Sequence, residues 1–460
     1  MTKNQSNEYK DNTQQYDQKM TLRYEDKIQD GILQIGDRDK NSIDSEVTNL
    51  MFVEKFNIQA LKLCIRKDMY VQLRSNTIKE LILGTQRFKG NKLLNLNLDD
   101  LELENLEVLD LENNNIVNDQ LYNLTKFKKL NTLNVSWNKV GLNYIHSVTG
   151  ITKLYMSKCN LKNIDLISSL VNLQELDLSK NTDLDLSPLC KVKSLKKLSM
   201  RECGLTNIDY ITQLINLEVL NLAYNQLLTT KSIGQLINLK QLDISWNKKI
   251  DISPLNDLVG LIKLNFSYCK LTQVSALKHL TNLQELDLSF NYDINITELQ
   301  YLKKLTHLNL EYCNLVSIYV LRPLVNLEEL DISRNKIVYL DAHLNEMKKL
   351  QTFRVERNRI SDLKSIFKHP NYNNFDEKKS INIFNQTKPS KEEVRQAKQI
   401  IRIERQNLKL KEIPHKTHQT TFSNFKQEIN AVLNNACQSQ IQFTANVVRI
   451  FQFLNQVGFE

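Results

Sequence analysis

The chain has 460 residues with 10 glycines, 6 prolines and 7 cysteines, and its formal net charge is +9 at pH 7. That length would hold two or three ordinary domains, but a short repeat through most of the chain favours one elongated array with end segments. The charge surplus is small for this length, so composition alone does not indicate a nucleic-acid-binding protein.

Residues 1–48 are polar, with 7 basic and 10 acidic side chains, and we expect the first dozen to be disordered. A short helix is predicted next, because apolar side chains recur at every fourth position before Gly31, at Tyr16, Met20, Tyr24 and Ile28. A strand is predicted at residues 32–35. Helix and strand together would cover the open end of the array.

Nothing at the N-terminus has the apolar core of a signal peptide, and no apolar run approaches the roughly 20 residues needed to span a bilayer. The sequence therefore predicts a cytoplasmic protein without a membrane segment.

One frame of apolar residues organises residues 49–370. Its clearest copy is Leu283-x-x-Leu286-x-Leu288-x-x-Asn291, and the next copy begins 22 residues later at Leu305. Ile58 and Ile78 begin two weaker copies. The regular copies begin at Leu106, Leu130, Ile151, Leu173, Leu195, Leu217, Leu239, Leu261, Leu283, Leu305, Leu327 and Leu350.

The spacing predicts a short strand followed by a tight turn. Leu286 and Leu288 are two residues apart, so both point to the interior. The ninth position of the frame must satisfy main-chain groups of the turn, and an Asn amide can donate and accept there. A Cys can replace it as a small buried side chain with a weak donor. The residues predicted to form this ladder are Asn114, Asn138, Cys159, Asn181, Cys203, Asn225, Asn247, Cys269, Asn291, Cys313, Asn335 and Asn358.

A repeat of 22 residues leaves no room for a full helix after the strand. Segments 185–189 and 251–255 place Ser before Pro, which suits the cap and first turn of a short 3₁₀ helix. The predicted fold is an α/β solenoid, a curved array with a parallel β-sheet on its concave side and 3₁₀ or short turns on its convex side. A single copy cannot bury its own core, so stability requires stacked neighbours.

Residues 371–460 are predicted to form a separate helical module. A capping box at Ser390–Glu393 opens the first helix. Two further apolar faces, around Phe425 and Phe451, indicate a second and a third helix. Residues 361–460 hold 15 Lys or Arg against 9 Asp or Glu, which accounts for +6 of the total charge.

Two series of side chains lie between the interior positions and are expected on the concave face. Aromatic residues precede the ladder position at Trp137, Tyr224, Trp246, Tyr268, Phe290 and Tyr312. Acidic residues follow the first interior leucine of the strand, including Asp243, Asp287 and Asp331. We interpret both series as a partner-binding surface. The alternative is that they are repeat consensus and pack along the array.

The frame resembles that of the leucine-rich-repeat superfamily over about residues 50–370. Its 22-residue form is similar to internalins and to the regulatory leucine-rich-repeat subunit of protein phosphatase 1, and its Asn- and Lys-rich style is similar to leucine-rich-repeat proteins of diplomonad protists. The resemblance implies the fold. From the side chains expected on the concave face, we predict a non-catalytic intracellular scaffold that holds a protein partner on that face. A regulatory subunit of a phosphatase is the alternative.

The chain contains none of the common nucleotide, hydrolase or zinc-protease motifs. Cys437 could act as the nucleophile of a ubiquitin-ligase-like module, but it lacks charged neighbours that would lower its thiol pKa, so we interpret it as buried core. We expect no enzymatic activity, no cofactor or metal, and no nucleic-acid or membrane partner.

Overall fold

The computed structural model describes residues 28–29, 32–35, 59–63, 73–75, 77–83, 97–340, 342–360 and 395. The helix predicted from Tyr16 to Ile28 lies outside these ranges except at Ile28, and the helical module predicted at 371–460 lies outside them except at Arg395, which is helical. The chain divides into two compact units, Met1–Asn225 and Gln226–Glu460.

The first unit is built on short strands that follow the repeat frame. Its main sheet runs in the order β1–β2–β3–β5–β7–β8–β9–β10–β11–β12. The strands are β1 (Ile28–Gln29), β2 (Ile32–Ile35), β3 (Ala60–Leu63), β4 (Leu73–Ser75), β5 (Glu80–Ile82), β6 (Leu101–Leu103), β7 (Val108–Asp110), β8 (Thr132–Asn134), β9 (Lys153–Tyr155), β10 (Glu175–Asp177), β11 (Lys197–Ser199) and β12 (Val219–Asn221). From β2 onward, the neighbours in this sheet pair in parallel.

The N-terminal edge of this sheet differs from the prediction. Strand β2 occupies the predicted residues, but Ile28 is not at the end of a helix. It lies in β1, which pairs antiparallel with β2 and places Ile28 opposite Leu33. A spacing of four residues between apolar side chains is also compatible with the two-residue alternation of a strand. In addition, a hairpin pairs the main-chain groups along the edge of β2, which a helix would leave unpaired.

A second, two-stranded sheet in the first unit was not expected from the sequence. Strand β4 pairs in parallel with β6, and Leu73 lies opposite Leu101. Both strands belong to the weak early copies, whose connecting segments carry apolar residues such as Leu101 and Leu103, both buried. These apolar residues let part of the connection extend and pair, directly after the 3₁₀ helix Leu98–Asp100 in the case of β6.

In the part of the second unit that the structure describes, the strands form one parallel sheet. In spatial and sequence order they are β13 (Gln241–Asp243), β14 (Lys263–Asn265), β15 (Glu285–Asp287), β16 (His307–Asn309), β17 (Glu329–Asp331) and β18 (Thr352–Arg354). Strands β14 to β16 pair in the same register, so Leu264 lies beside Leu286 and Leu286 beside Leu308. Equivalent positions of successive repeats therefore form columns across the sheet.

Short 3₁₀ helices connect the strands, as predicted. In the first unit they are Leu98–Asp100, Asn118–Leu121, Leu124–Lys126, Ile145–Ser147, Asp165–Ser169, Ser187–Lys191 and Asp209–Gln213. In the second unit they are Ile233–Gln235, Ser253–Asp257, Ser275–His279, Thr297–Tyr301, Tyr319–Leu321 and Ala342–Glu346.

The capping of these helices differs in detail from the prediction. Ser187 and Ser253 are the first helical residues rather than the caps, with proline following each. Their N–H groups donate to Asp185 Oδ1 at 2.8 Å and Asp251 Oδ1 at 3.0 Å. The aspartate two residues earlier thus does the capping that was predicted for serine, because its carboxylate reaches the first unsatisfied N–H of the helix.

Frame residues form the core of each unit. Leu283, Leu286 and Leu288 are buried, and so are the equivalent residues of the other regular copies. Phe266 and Phe353 replace leucine at two frame positions and are also fully buried. The residues that flank Leu286 in β15 are half-buried and lie on the sheet face away from the frame leucines.

Candidate partner-binding face

The ladder position holds the turns of successive repeats together. Asn291 donates from Nδ2 to the carbonyl oxygens of Leu288 and of Phe266 in the preceding repeat, both at 2.9 Å. Its Oδ1 accepts the N–H groups of Cys269 at 3.1 Å and Leu271 at 2.9 Å. One side chain therefore satisfies main-chain groups of two repeats. All of the residues predicted for the ladder are buried: Asn114, Asn138, Cys159, Asn181, Cys203, Asn225, Asn247, Cys269, Asn291, Cys313, Asn335 and Asn358.

The ladder cysteines provide only the donor half of this arrangement. The Cys269 thiol donates to the Ile244 carbonyl oxygen, with Sγ and O 3.2 Å apart. Burial raises the pKa of this thiol to about 12, and it raises the pKa of Cys313 likewise to about 12. Protonated thiols are poor nucleophiles and metal ligands. Among the described residues, no group of His, Cys, Asp or Glu is arranged to hold a metal ion.

The alternation of Asn and Cys along the ladder shapes the loops between repeats. Where the next ladder residue is Asn291, the loop after Cys269 turns at Lys270, whose φ is 56°, and two N–H groups of this loop reach the Asn291 side chain. A thiol is too weak an acceptor for this arrangement. Before Cys313, the loop turns one residue later, at Asp293, where φ is 69°. Loops before an Asn of the ladder therefore differ from loops before a Cys in the position of their left-handed residue, as these two loops show.

The residue immediately before each ladder position adopts a left-handed conformation. The residues are Asn113, Trp137, Lys158, Lys180, Glu202, Tyr224, Trp246, Tyr268, Phe290, Tyr312, Arg334 and Arg357, with φ between 53° and 60°. Bulky side chains rarely adopt this conformation by themselves. Hydrogen bonds to the next repeat support it, as when the Tyr268 N–H donates to the Ser289 carbonyl oxygen at 3.1 Å.

Four of the aromatic residues in this column form a stack in the second unit. The ring centroids of Trp246 and Tyr268 are 3.9 Å apart, those of Tyr268 and Phe290 are 4.1 Å apart, and those of Phe290 and Tyr312 are 5.5 Å apart. The rings of Tyr268 and Phe290 are covered on their faces by neighbours and are half-buried, whereas Tyr312 is 46% exposed. We call Trp246, Tyr268, Phe290 and Tyr312 the aromatic row.

Trp137 and Tyr224 lie in the first unit and have cationic neighbours. The Nζ of Lys158 is 3.9 Å from the Trp137 ring centroid, and the guanidinium carbon of Arg201 is 4.2 Å from that of Tyr224. Lys158, Lys180 and Glu202 occupy the column between these two aromatics. Within the first unit, the two rings are therefore separated by charged residues, and each is engaged in a cation–π contact.

The acidic residues predicted for the site serve the turn. Ser245, Ser289 and Ser333 donate their N–H groups to the Oδ1 of the aspartate two residues earlier, at 3.0, 2.8 and 2.9 Å. Those aspartates are Asp243, Asp287 and Asp331. The amide oxygens of Asn265 and Asn309 accept in the same way in the intervening strands, at 2.9 and 3.0 Å. In these five strands the turn uses a side-chain oxygen at this position, and it does not need a charge.

Charges beside this column are partly compensated. Burial raises the pKa of Asp287 above its ordinary value of 3.8, and the negative charge of Asp243 adds to the increase. Neighbouring ion pairs join Lys263 Nζ to Glu285 at 2.7 Å and Arg334 Nε to Glu311 at 3.0 Å. The Asp287 carboxylate accepts hydrogen bonds from neutral donors, namely Ser289 and the Asn309 amide. A half-buried carboxylate among neutral donors favours the approach of a cation.

A second series of asparagines stabilises the opposite ends of the strands, and it was not predicted from the sequence. Asn172, Asn216, Asn282 and Asn326 each lie directly before a frame leucine. Their Nδ2 groups donate to carbonyl oxygens of the preceding repeat, at 3.0, 2.9, 2.9 and 2.9 Å. The recurring Asn-Leu pair that starts these copies was the available signal. These bonds are exposed, in contrast to those of the inner ladder.

Comparisons with known proteins agree with this architecture. The sequence profile of the family described as "Leucine Rich repeat" matches residues 279–294. A crystal structure of an internalin, InlF, from Listeria monocytogenes is 27% identical with a TM-score of 0.55, and the match covers 62% of this chain and 82% of the internalin. A leucine-rich-repeat protein from Leptospira interrogans is 28% identical with a TM-score of 0.56, covering 70% and 82% of the two chains.

No curated protein sequence matches the chain. Within the described part of the chain, no helix combines the length and the apolar character needed to cross a membrane. The repeat frame, the parallel strands joined by 3₁₀ turns and the two structural similarities show that the described part of the chain has the leucine-rich-repeat fold.

Proposed function

We propose that the protein is a non-catalytic scaffold that holds a protein partner on the sheet face away from the frame leucines. The observation that supports this most directly is the aromatic row, in which four large rings lie side by side on that face and Tyr312 is 46% exposed. Aromatic side chains dominate the energy of protein interfaces. Three strand spacings of about 4.8 Å give the row a length of about 14 Å, comparable with the buried centre of an interface.

The stacking determines what a partner would contact. Neighbours cover the ring faces of Tyr268 and Phe290, so a partner meets mainly their edges. Ring edges carry partial positive charge, so they can contact apolar groups or oxygen atoms of a partner. Tyr312, at one end of the row, is the most exposed ring and is therefore the residue on which we expect binding to depend most strongly.

The proposal is tested with the full chain and a partner recovered by affinity purification. We expect Tyr312→Ala to weaken partner binding by about 2 kcal/mol or more, as for an interface hot spot. It should lower the free energy of unfolding by less than Leu264→Ala, because Leu264 is 3% exposed and its loss leaves a cavity costing about 2–5 kcal/mol. Binding isotherms and melting curves provide the two measurements.

Tyr301→Ala is the matched control, because Tyr301 is 39% exposed but lies in the 3₁₀ helix Thr297–Tyr301. It should leave partner binding unchanged. If alanine at Tyr312, Phe290 and Tyr268 left affinity unchanged and lowered the melting temperature, the row would be a packing feature of the repeats, and the proposed binding site would be wrong.

A further inference from the structure

The column that contains Asp243, Asp287 and Asp331 alternates aspartate with asparagine. Strand pairing aligns Asp243 with Asn265, Asn265 with Asp287, Asp287 with Asn309, and Asn309 with Asp331. All five residues use Oδ1 for the same bond to the N–H two residues later. Asparagine fulfils this role without the cost of burying a charge. The turn therefore does not explain why every second strand carries a carboxylate.

The alternation determines the distance between the charges. Neighbouring strands lie about 4.8 Å apart, so carboxylates on alternate strands are about 10 Å apart. The aromatic row lies along the same strands, a short turn further along each repeat. Acidic groups at a regular interval, with aromatic side chains beside them, are suited to a chain that presents cations at the same interval.

The column itself carries a cationic residue at one end. Arg354 lies with Nη1 3.8 Å from Asp331 Oδ2. Lys263 and Arg334, two basic side chains near the column, are paired with Glu285 and Glu311. Arg354 is aligned with Asp331 on the adjacent strand, so this contact shows that a carboxylate of the column can pair with a cationic side chain within the sheet.

Resting on the function proposed above, we infer that the partner contributes an extended segment in polyproline II conformation, with Lys or Arg at every third residue facing Asp243, Asp287 and Asp331. A polyproline II helix rises about 3.1 Å per residue with about three residues per turn, so its equivalent side chains recur at about 9 Å. A β-strand repeats its side chains at about 6.7 Å and does not match. An α-helix is about 10 Å wide and keeps its axis further from carboxylates that are half-buried.

The inference is tested by binding a dye-labelled peptide of three Lys-Pro-Pro units to the full chain. Its isomer with three consecutive lysines followed by six prolines has the same charge and composition. We expect the periodic peptide to bind about tenfold more tightly than the block isomer. The double variant Asp243→Asn with Asp287→Asn should remove most of this preference, and each single variant should reduce it about threefold.

The intervening strands already carry asparagine at this position. The Asp→Asn variants should therefore preserve the turn and leave the melting temperature unchanged. Asp257→Asn is the matched control, because Asp257 is exposed at the end of the 3₁₀ helix Ser253–Asp257. Equal binding of the two peptides, no binding of either, or equal weakening by Asp257→Asn would overturn the inference.

The two proposals fail separately. If Tyr312→Ala lost the purified partner while the double aspartate variant kept it, the partner-binding face would stand and the cationic segment would be wrong. If alanine at Tyr312, Phe290 and Tyr268 kept the partner in every case, the proposed function would be wrong whatever the two peptides showed.

Discussion

At the scale of single residues, two kinds of asparagine perform different tasks in the same repeat. The repeat frame identified the inner position, because a polar side chain at a fixed place among buried leucines must satisfy main-chain groups. The outer series at Asn282 and its equivalents was missed, because an exposed asparagine in a polar connection does not stand out. The structure distinguishes them by burial, with Asn291 fully buried and Asn282 in an exposed bond.

We expect Asn291→Ala to lower the free energy of unfolding by about 1–3 kcal/mol, since buried groups of two repeats lose their partner. Asn282→Ala should cost less than about 1 kcal/mol, because water can replace its exposed bond to the Val259 carbonyl oxygen. Chemical denaturation of both variants measures the difference. Equal losses would contradict the distinction between the inner ladder and the outer series.

The left-handed column could not have been predicted from residue type. Trp246, Tyr268 and Phe290 have φ values of 58° to 60°, although none of these residue types favours that region. Hydrogen bonds with the following repeat impose it, and such bonds depend on how repeats stack rather than on local sequence. This is also why the sequence located the aromatic row but gave no sign that its rings would cover one another.

At the scale of elements, the strands and connecting turns followed from periodicity. The strands β13 to β18 coincide with the predicted copies because Leu-x-Leu at a fixed interval leaves one choice of interior face. Ile28 was misassigned because a four-residue spacing satisfies a helix and a two-residue alternation alike. The pair of strands β4 and β6 was missed because pairing outside the main sheet has no period to reveal it.

The packing between 3₁₀ helices gives a test at this scale. A Cβ atom on Gly234 would overlap the Pro254 carbonyl oxygen in the next repeat, and only a movement of main-chain atoms could relieve the overlap. We expect Gly234→Ala to lower the free energy of unfolding by about 1–3 kcal/mol through overpacking. Thermal and urea unfolding of the full chain provide the measurement.

Gly260→Ala is the control for this substitution, because its Cβ would meet the Leu239 carbonyl oxygen at 3.6 Å, an ordinary contact. It should change stability by less than about 1 kcal/mol. If Gly234→Ala had the same free energy of unfolding as the parent, the close contact between Gly234 and Pro254 described here would be contradicted.

At the scale of the whole molecule, the repeat explains the fold and leaves recognition to particular side chains. The frame residues and ladder follow from the requirement that each copy bury its core against its neighbours. Burial of the core does not constrain which partner binds. The fold class could therefore be predicted from the sequence, whereas the partner could not. The aromatic row and the alternating carboxylates are features of the described sheet face that the repeat frame alone does not explain.

The central claim is that a partner covers this face in the second unit. The most direct measurement is oxidative footprinting of the full chain with and without the purified partner, read at Tyr312 and Tyr301, which are 46% and 39% exposed. Because Tyr312 belongs to the aromatic row and Tyr301 to a 3₁₀ helix, partner binding should reduce labelling of Tyr312 severalfold and leave Tyr301 unchanged. Protection of Tyr301 with unchanged labelling of Tyr312 would contradict the claim.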